Sequence, residues 1–501
     1  MDSAPTHSFV GELVSETEGA RLVAGDPATR VGGVTQDSRR LEPGDLFVAI
    51  PGFERDGLEF VPEAIARGAA AVAAESMPAG AIGVPLIVVN NARRALADLS
   101  AAVYGHPSRH LPVVGVTGTD GKTSTTQLLS AILEARGLKT GWLTTVNTKI
   151  AAELRPNAAD HTTPEAPIVQ RTLNEMRQAG LDVAILETSS HALELERVRA
   201  TRFQLGVFTN LSLEHINFHG SFEAYRAAKR KLFECLPTEG LAVLNADDPS
   251  SEVMRAATRA PVLSYGLDRL EADLTAGDIR LAANGTTFTL LPSGLRIRTR
   301  LVGRFNVSNW LAAYAAATYF GATPDDLRCA ASTQPPVPGR MNLVNVGQPF
   351  AIVVDFAHTP QALEKALDTV RSLTRGRLLL AFGLAGGRDP ANRPVMGALA
   401  ARKADFFVIT MDDPGHEDAA SIADQIAAGA RSEGGSFTIE LDRRQALRLL
   451  FEHARPGDAV LLAGKGHEQR MVVGDERRPW NDSRVAAEVL ANLGYGAHAV
   501  P

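Results

Sequence analysis

The stretch VTGTDGKTST, Val116 to Thr125, decides how this chain is organised. A P-loop in its common form carries a glycine five residues before the Gly-Lys pair. That position is Val116, so only a tighter version survives: Gly118, two residues, then Gly121-Lys122-Thr123. Two glycines still let the backbone turn its N–H groups toward an anion. The apolar run Val113–Val116 reads as a buried strand, and Thr123–Arg136, closed by Gly137, reads as a helix. Strand, glycine loop, helix is the setting in which a short glycine motif holds phosphate, because the helix adds its positive end. In this reading Gly118, Thr119, Asp120, Gly121, Lys122, Thr123 and Ser124 hold a nucleotide. Lys122 reaches the β- and γ-phosphates, and the Thr123 hydroxyl holds Mg²⁺.

Outward from the loop, apolar strands alternate with helical stretches. Val183–Leu186, Leu205–Phe208 and Ala242–Leu244 are strand-like, and Ala166–Ala179 and Phe222–Leu236 are helical. This alternation predicts an α/β fold with a parallel sheet covered on both faces. Residues Leu274–Leu301 alternate instead, as antiparallel strands do. Two Pro/Gly clusters, Gly105–Pro112 and Gln334–Arg340, mark boundaries. Three domains follow: residues 1–109, a small α/β unit; 110–338, which carries the glycine loop on a parallel sheet; and 339–501, which repeats the doubly wound pattern.

The 501 residues are 45% apolar with a net charge of -6, so the chain has cores to build and no electrostatic reason to bind nucleic acid. No basic leader precedes an apolar run at the N-terminus, and no window is long and apolar enough for a membrane helix, so a cytoplasmic protein is expected. The two cysteines, Cys235 and Cys329, have no metal-ligand spacing and are expected as buried, reduced thiols.

Chemistry-bearing residues cluster after strands, where open parallel sheets bind their ligands. Glu187, in LETSSHAL, would stand beside the triphosphate. His215 sits in TNLSLEHINFHG with Glu214 and His219, a set suited either to a metal or to an ordinary polar loop. Lys229, read alone, is a surface lysine on a helix. DFAHTPQA (355–362), GLAGGRDPANRPVM (383–396) and GKGHE (464–468) follow three further apolar strands and point to one shared site in the last domain.

Taken in order, these segments resemble the Mur ligases, ATP-dependent enzymes that form amide bonds in peptidoglycan precursors. The resemblance covers nearly the whole chain: TGTDGKTS, TTP (162–164), ETSSHAL, TNLSLEHINFHG, YRAAK, LNADDP, GRFNVSN, PGRMN, DFAHTPQALEKAL and GKGHE. SSHAL, DFAHTP and GKGHE are most similar to the members that add a diamino acid to UDP-N-acetylmuramoyl-L-alanyl-D-glutamate. The resemblance implies that residues 1–109 bind the UDP-muramoyl group, that 110–338 form a central ATPase, and that 339–501, of dinucleotide-binding type, hold the amino acid; it also implies residue roles. Ser38 contacts the uridine nucleotide; Thr162, Thr163, Ser190 and Arg197 hold the muramoyl dipeptide. Thr123, Glu187, His215 and Lys229, the last as a carbamate, hold two Mg²⁺ ions. Asn306 and Arg340 contact ATP. Arg393, Asp412, Asp413, Gly464 and Glu468 receive the amino acid. It implies a mechanism too, in which the D-glutamate carboxylate takes the γ-phosphate of ATP and the resulting acyl phosphate is attacked by an amine; Lys122 and the metal ions neutralise the developing charge. A carbamate gives Lys229 a physical purpose, since it turns a cation into an oxygen ligand that hard metals prefer. The chain departs from the family pattern at Glu214 and Asn217, where aspartates are usual, and at Asn342 in PGRMN.

The added amino acid is read from MDDPGHED, Met411 to Asp418. Diaminopimelate-adding members carry Asp-Asn-Pro-Arg there, and that arginine pairs with the distal carboxylate. Here the fourth residue is Gly415, with no cation, while Asp412, Asp413, Glu417 and Asp418 make the loop acidic. A side chain ending in an ammonium, L-lysine or L-ornithine, is therefore favoured over diaminopimelate, for which Arg388 or His416 would have to replace the missing arginine. Rivals are a ligase of the same scaffold that adds D-alanyl-D-alanine or extends folates, and, from another class, a non-catalytic nucleotide-binding regulator. Amino-acid-dependent phosphate release separates the first two; loss of that release in Lys122→Ala separates the last. A monomer is expected.

Overall fold

The computed structural model describes residues 8–52, 55–80, 82–157, 161–282 and 285–495. Three mixed or parallel sheets organise it, and each core strand is a short apolar run buried on both faces.

The first sheet orders its strands Arg21–Ala24, Leu86–Val88, Ala71–Ala74, Asp45–Ala49 and Gly33–Thr35. All neighbours pair in parallel except Arg21–Ala24. Its apolar faces are closed by the helices Val61–Ala66 and Ala92–Val103.

The central sheet has eleven strands among the described residues. Its parallel core runs Thr140–Leu143, Val183–Glu187, Val113–Thr117, Phe203–Phe208, Leu241–Asn245 and Val262–Gly266. The Asn147–Ile150/Glu153–Pro156 hairpin extends one edge. On the other, Leu274–Ala282, Gly285–Leu291 and Leu295–Thr299 form the expected antiparallel run. Val113–Thr117 is buried throughout and lies where successive strands depart to opposite sides. Its carboxyl end is thus a topological switch point, the place such sheets leave a crevice. The helix after it, Lys122–Ala135, wedges Leu128, Leu129, Ile132 and Leu133 between the sheet and the helix Arg304–Thr318, with Trp310 fully buried in the same core. Each such side chain contributes about 1.5–3 kcal/mol by leaving water. The opposite face is covered by Ala166–Gln178 and Phe222–Glu234.

The third sheet orders Asn342–Leu343, Ala351–Asp355, Ala459–Ala463, Leu378–Phe382, Phe406–Ile409 and Phe437–Ile439, parallel apart from the first strand. The DFAHTP, GKGHE, GLAGGRD and MDDPG segments leave the carboxyl ends of its four middle strands, which brings them to one edge.

No described helix is long and apolar enough to cross a membrane. Cys235 and Cys329 are free as expected, but both are exposed rather than buried: Cys235 caps the end of Phe222–Glu234, and Cys329 lies on the outward side of the helix Pro324–Thr333.

Candidate active site

The glycine loop is shaped by close approach. A Cβ on Gly118 would lie 1.9 Å from Thr209 Oγ1, and one on Gly121 would lie 2.5 Å from Asn309 Oδ1, with both backbones at positive φ. The loop is pinned to the next strand's end: Asp120 N donates to Asn210 Oδ1 (3.0 Å), and the Thr119 hydroxyl lies 3.0 Å from Tyr225 Oη. Ser124 is buried in the first turn of the helix. Lys122 folds back, its Nζ donating to the carbonyls of Thr119 (2.7 Å) and Gly118 (3.1 Å). Asn306 anchors the neighbouring helix through Val302 O and accepts from Asn309, the residue beneath Gly121.

Of the predicted metal-holding residues, Thr123, Glu187 and Lys229 meet at this loop, whereas His215 follows the next strand and lines the third-domain cavity. Thr123 Oγ1 donates to Glu187 Oε1 (2.9 Å), and the other carboxylate oxygen accepts from Thr145 N and Oγ1. Lys229 is not the surface lysine its isolated position suggested. It is 2% exposed, donates to Gly118 O at 2.7 Å and lies over the Tyr225 ring. Burial, with Lys122 nearby, holds its amine well below the usual lysine range. His215 sits at positive φ with Nε2 3.5 Å from Glu214 Oε1. Burial brings its pKa down to about 3, so the ring is a neutral, ligand-competent imidazole at ordinary pH. His219, by contrast, turns its Nε2 to Ser190 Oγ (3.0 Å).

Glu214 also reaches the third domain, 3.4 Å from His358 Nε2. Burial opposes its charge, but the His358 hydrogen bond and the fields of His215, His358 and Lys122 hold it well below the usual carboxylate range.

The dipeptide candidates split. Thr163, Ser190 and Arg197 gather at the end of the Val183–Glu187 strand: Thr163 Oγ1 donates to Glu187 O (2.8 Å), and Arg197 Nη1 donates to Thr163 O (3.1 Å) while pairing with Glu165. Thr162 is half-buried beside them. Ser38 belongs to the first sheet's edge, its hydroxyl donating to Glu63 Oε2 (2.9 Å). Arg340 stacks on Phe356, 4.7 Å from the ring centroid, with its Nε buried and without a partner among the described residues.

A cavity of about 90 Å³ opens between the central and third domains, lined among others by His215, His358, Arg388, Asp412, Asp413 and Glu468. Here the acidity inferred from the sequence needs correction. Glu417 is clamped by Arg393 (2.6 and 2.8 Å), and Asp418 caps the helix Ala419–Ser432 by accepting from Ala420 N and Ser421 N. Asp412, Asp413 and Glu468 present oxygens within 4.8 Å of one another, around the ammonium of Lys465. Two of the four loop acids thus serve structural partners, and the others share a cation. Arg393 lines the cavity, but Glu417 and Gln425 occupy its guanidinium. Arg388 is the exposed arginine of the cavity wall without an ion pair among the described residues. Gly464, at φ +105, has no room for a side chain, since a Cβ would lie 2.3 Å from Asp412 Oδ2. Sequence reasoning missed Lys465 as a partner of these acids; its position between two glycines after a buried strand was the available signal.

Residues 30–104 match the model of the Mur ligase family catalytic domain, 116–317 the Mur ligase middle domain, and 339–466 the Mur ligase glutamate ligase domain. A UDP-N-acetylmuramyl-tripeptide synthetase of Roseiflexus sp. (strain RS-1) is 44% identical over 93% of this chain and 96% of its own. A UDP-N-acetylmuramoyl-L-alanyl-D-glutamate--2,6-diaminopimelate ligase of Geobacillus kaustophilus (strain HTA426) is 42% identical over 91% and 94%. The solved structure of another ligase of that name superposes with a TM-score of 0.67 at 29% identity, covering 98% of this chain and all of the other. With its glycine loop, its buried lysine and its third-domain cavity arranged as described, the chain belongs to the Mur ligase family.

Proposed function

We propose that this Mur ligase joins a diamino acid to the D-glutamate of UDP-N-acetylmuramoyl-L-alanyl-D-glutamate at the expense of ATP. The observation that carries the reading is a single cavity walled by His215 and Glu214 from the nucleotide side and by Asp413, Glu468 and Arg388 from the third domain.

The residues at the glycine loop fit Mg²⁺. Thr123 and Glu187 offer hard oxygen donors, and Asp120 Oδ2 and Ser212 Oγ are buried with no partner among the described residues. Thr123, Glu187, His215 and a carbamylated Lys229 would hold the metal, which supplies charge neutralisation to the phosphates. Lys122 swings from the loop carbonyls onto the β- and γ-phosphates; Asn306 and Arg340 flank the nucleotide. The peptide carboxylate, held by Thr162, Thr163, Ser190 and Arg197, takes the γ-phosphoryl group of ATP, which leaves as ADP, and becomes an acyl phosphate; the deprotonated amine of the amino acid then attacks the acyl carbon, loses a proton and displaces inorganic phosphate. Ser38 holds the uridine nucleotide. The three acids around Lys465 carry a surplus of negative charge that draws the amino acid's ammonium, and Arg388 receives its carboxylate.

Gly415 favours L-lysine or L-ornithine, because a distal carboxylate buried there would lack a cation at a cost of about 3–5 kcal/mol. One observation favours meso-diaminopimelate instead: Arg388 has no ion pair among the described residues, and in that reading it takes the distal carboxylate rather than the α-carboxylate. Amide formation with lysine, ornithine and diaminopimelate in parallel tests both. Turnover with lysine or ornithine at least about tenfold above diaminopimelate supports the first. The reverse order supports the second, and no turnover with any diamino acid overturns the function.

A further inference from the structure

We infer that Lys465 is a positioning residue for the incoming amino acid: its buried ammonium gathers Asp412, Asp413 and Glu468 into one acidic wall without itself touching the substrate. The inference deepens the function proposed above and rests on the amino acid binding in this cavity.

The geometry is specific. The Lys465 side chain is 0% exposed, with Nζ 2.7 Å from Asp413 Oδ1, 3.7 Å from Asp412 Oδ1 and in direct contact with Glu468. Its partners come from two separate loops, and Glu468 is additionally fixed by a turn in which its N–H donates to Lys465 O (2.9 Å). Asp413 Oδ1 also accepts from Val472 N (2.9 Å). The glycines on either side press the lysine inward. A Cβ on Gly464 would strike Asp412, and one on Gly466 would lie 2.6 Å from Phe356 Cβ. No other side chain could keep both flanks and leave the lysine pointing into the protein.

Three carboxylates this close repel one another, and a buried one is costly unless paired. Lys465 offsets one of the three charges. Arg443, matched by Asp482, and the neutral His467 also face the cluster, and Arg388, Asp389, Arg393 and His358 line the same cavity. Arg443 binds Ala463 O and Met411 O and so ties together the two strand ends that carry the acids. The wall keeps a surplus of about two negative charges when all three acids are ionised. Glu468 is the acid at the edge of that balance. Burial raises it to about 7, against the pull of Lys465, so its charge is present above neutral pH and fades as pH falls. Without Lys465 the repulsion from Asp412 and Asp413 is no longer offset, and the group should hold its proton to higher pH.

The test is the Lys465→Met variant, assayed with ATP, the muramoyl dipeptide and whichever diamino acid the unaltered enzyme uses. The expected result is a rise of about tenfold or more in KM for the amino acid, with KM for ATP within about twofold. The acid limb of kcat/KM for the amino acid should move up by about one pH unit. A uniform change in all three KM values with an unmoved limb would mark a merely structural lysine and overturn the inference; so would an unchanged amino-acid KM. If Lys465→Met does not fold, Lys465→Gln keeps a hydrogen-bond donor toward the three acids and removes only the charge. There the amino-acid KM should again rise selectively, and a value within about twofold of the unaltered enzyme overturns the inference. Failure of the unaltered enzyme to use any diamino acid would instead sink the proposed function, so the two failures are distinct.

Discussion

Thr123 Oγ1 donates to Glu187 Oε1 across 2.9 Å, joining the first turn of the glycine-loop helix to the end of the adjacent strand. Glu187→Gln should preserve the fold, because an amide can still accept from Thr145 N and donate to Thr123. It removes the charge a metal needs. Turnover at saturating ATP should fall by about two to three orders of magnitude, and the Mg²⁺ concentration for half-maximal rate should rise. A metal titration of phosphate release checks this; an unchanged metal requirement would exclude Glu187 from that role.

Lys229 should make the enzyme depend on carbon dioxide. Its burial favours the neutral amine, the form that adds CO₂. The sign follows: at pH values below the depressed pKa the amine is protonated and the carbamate is lost, so activity drops; above it, bicarbonate restores activity. Enzyme stripped of bicarbonate should lose most of its rate and recover on addition, whereas Lys229→Met should be inactive in both states. Equal rates with and without bicarbonate would refute a carbamate.

Gly415→Arg should change substrate preference. Gly415 sits at φ +57 with open space where a Cβ would stand, so an arginine fits at a backbone cost of about 1–2 kcal/mol. Its guanidinium can pair with a distal carboxylate. The ratio of kcat/KM for diaminopimelate over lysine should rise by about tenfold or more. Competition assays with both amino acids measure it directly, and an unmoved ratio would mean that this position does not read the distal group.

Asp482 and Arg443 form a fully buried pair at 2.7 Å, and Trp480 Nε1 donates to the same carboxylate. Asp482→Ala strands a buried guanidinium and should cost about 3–5 kcal/mol in urea unfolding of the third domain. Because Arg443 also holds Met411 and Ala463, KM for the amino acid should rise before the domain unfolds.

Much of this architecture is legible in the sequence because its signals are local. The glycine loop announces itself through Gly118 and Gly121 between a strand and a helix, and the apolar runs of the central sheet are short and bounded by turns. The third-domain site is less legible. Lys465 meets Asp413 across 52 residues, and its flanking glycines after a buried strand hint at a tight site without naming the partner. Glu214 and His358 meet across two domains. Glu417 and Asp418 look like the acids beside them, yet one is consumed by Arg393 and the other by a helix end. Charge counted along a loop overstates the charge a ligand meets, because long-range pairing is a property of the fold.

The central sheet ends on Glu153–Pro156 at one side and Leu295–Thr299 at the other. The first is exposed throughout and bears Glu153, Arg155 and a terminal proline; the second turns Arg296 and Arg298 outward. Such flanks discourage a foreign strand from docking, since it would have to strip water from fixed charges or face a missing amide hydrogen. Both flanks of a wide sheet thus carry groups that disfavour strand addition at the two places where growth could begin.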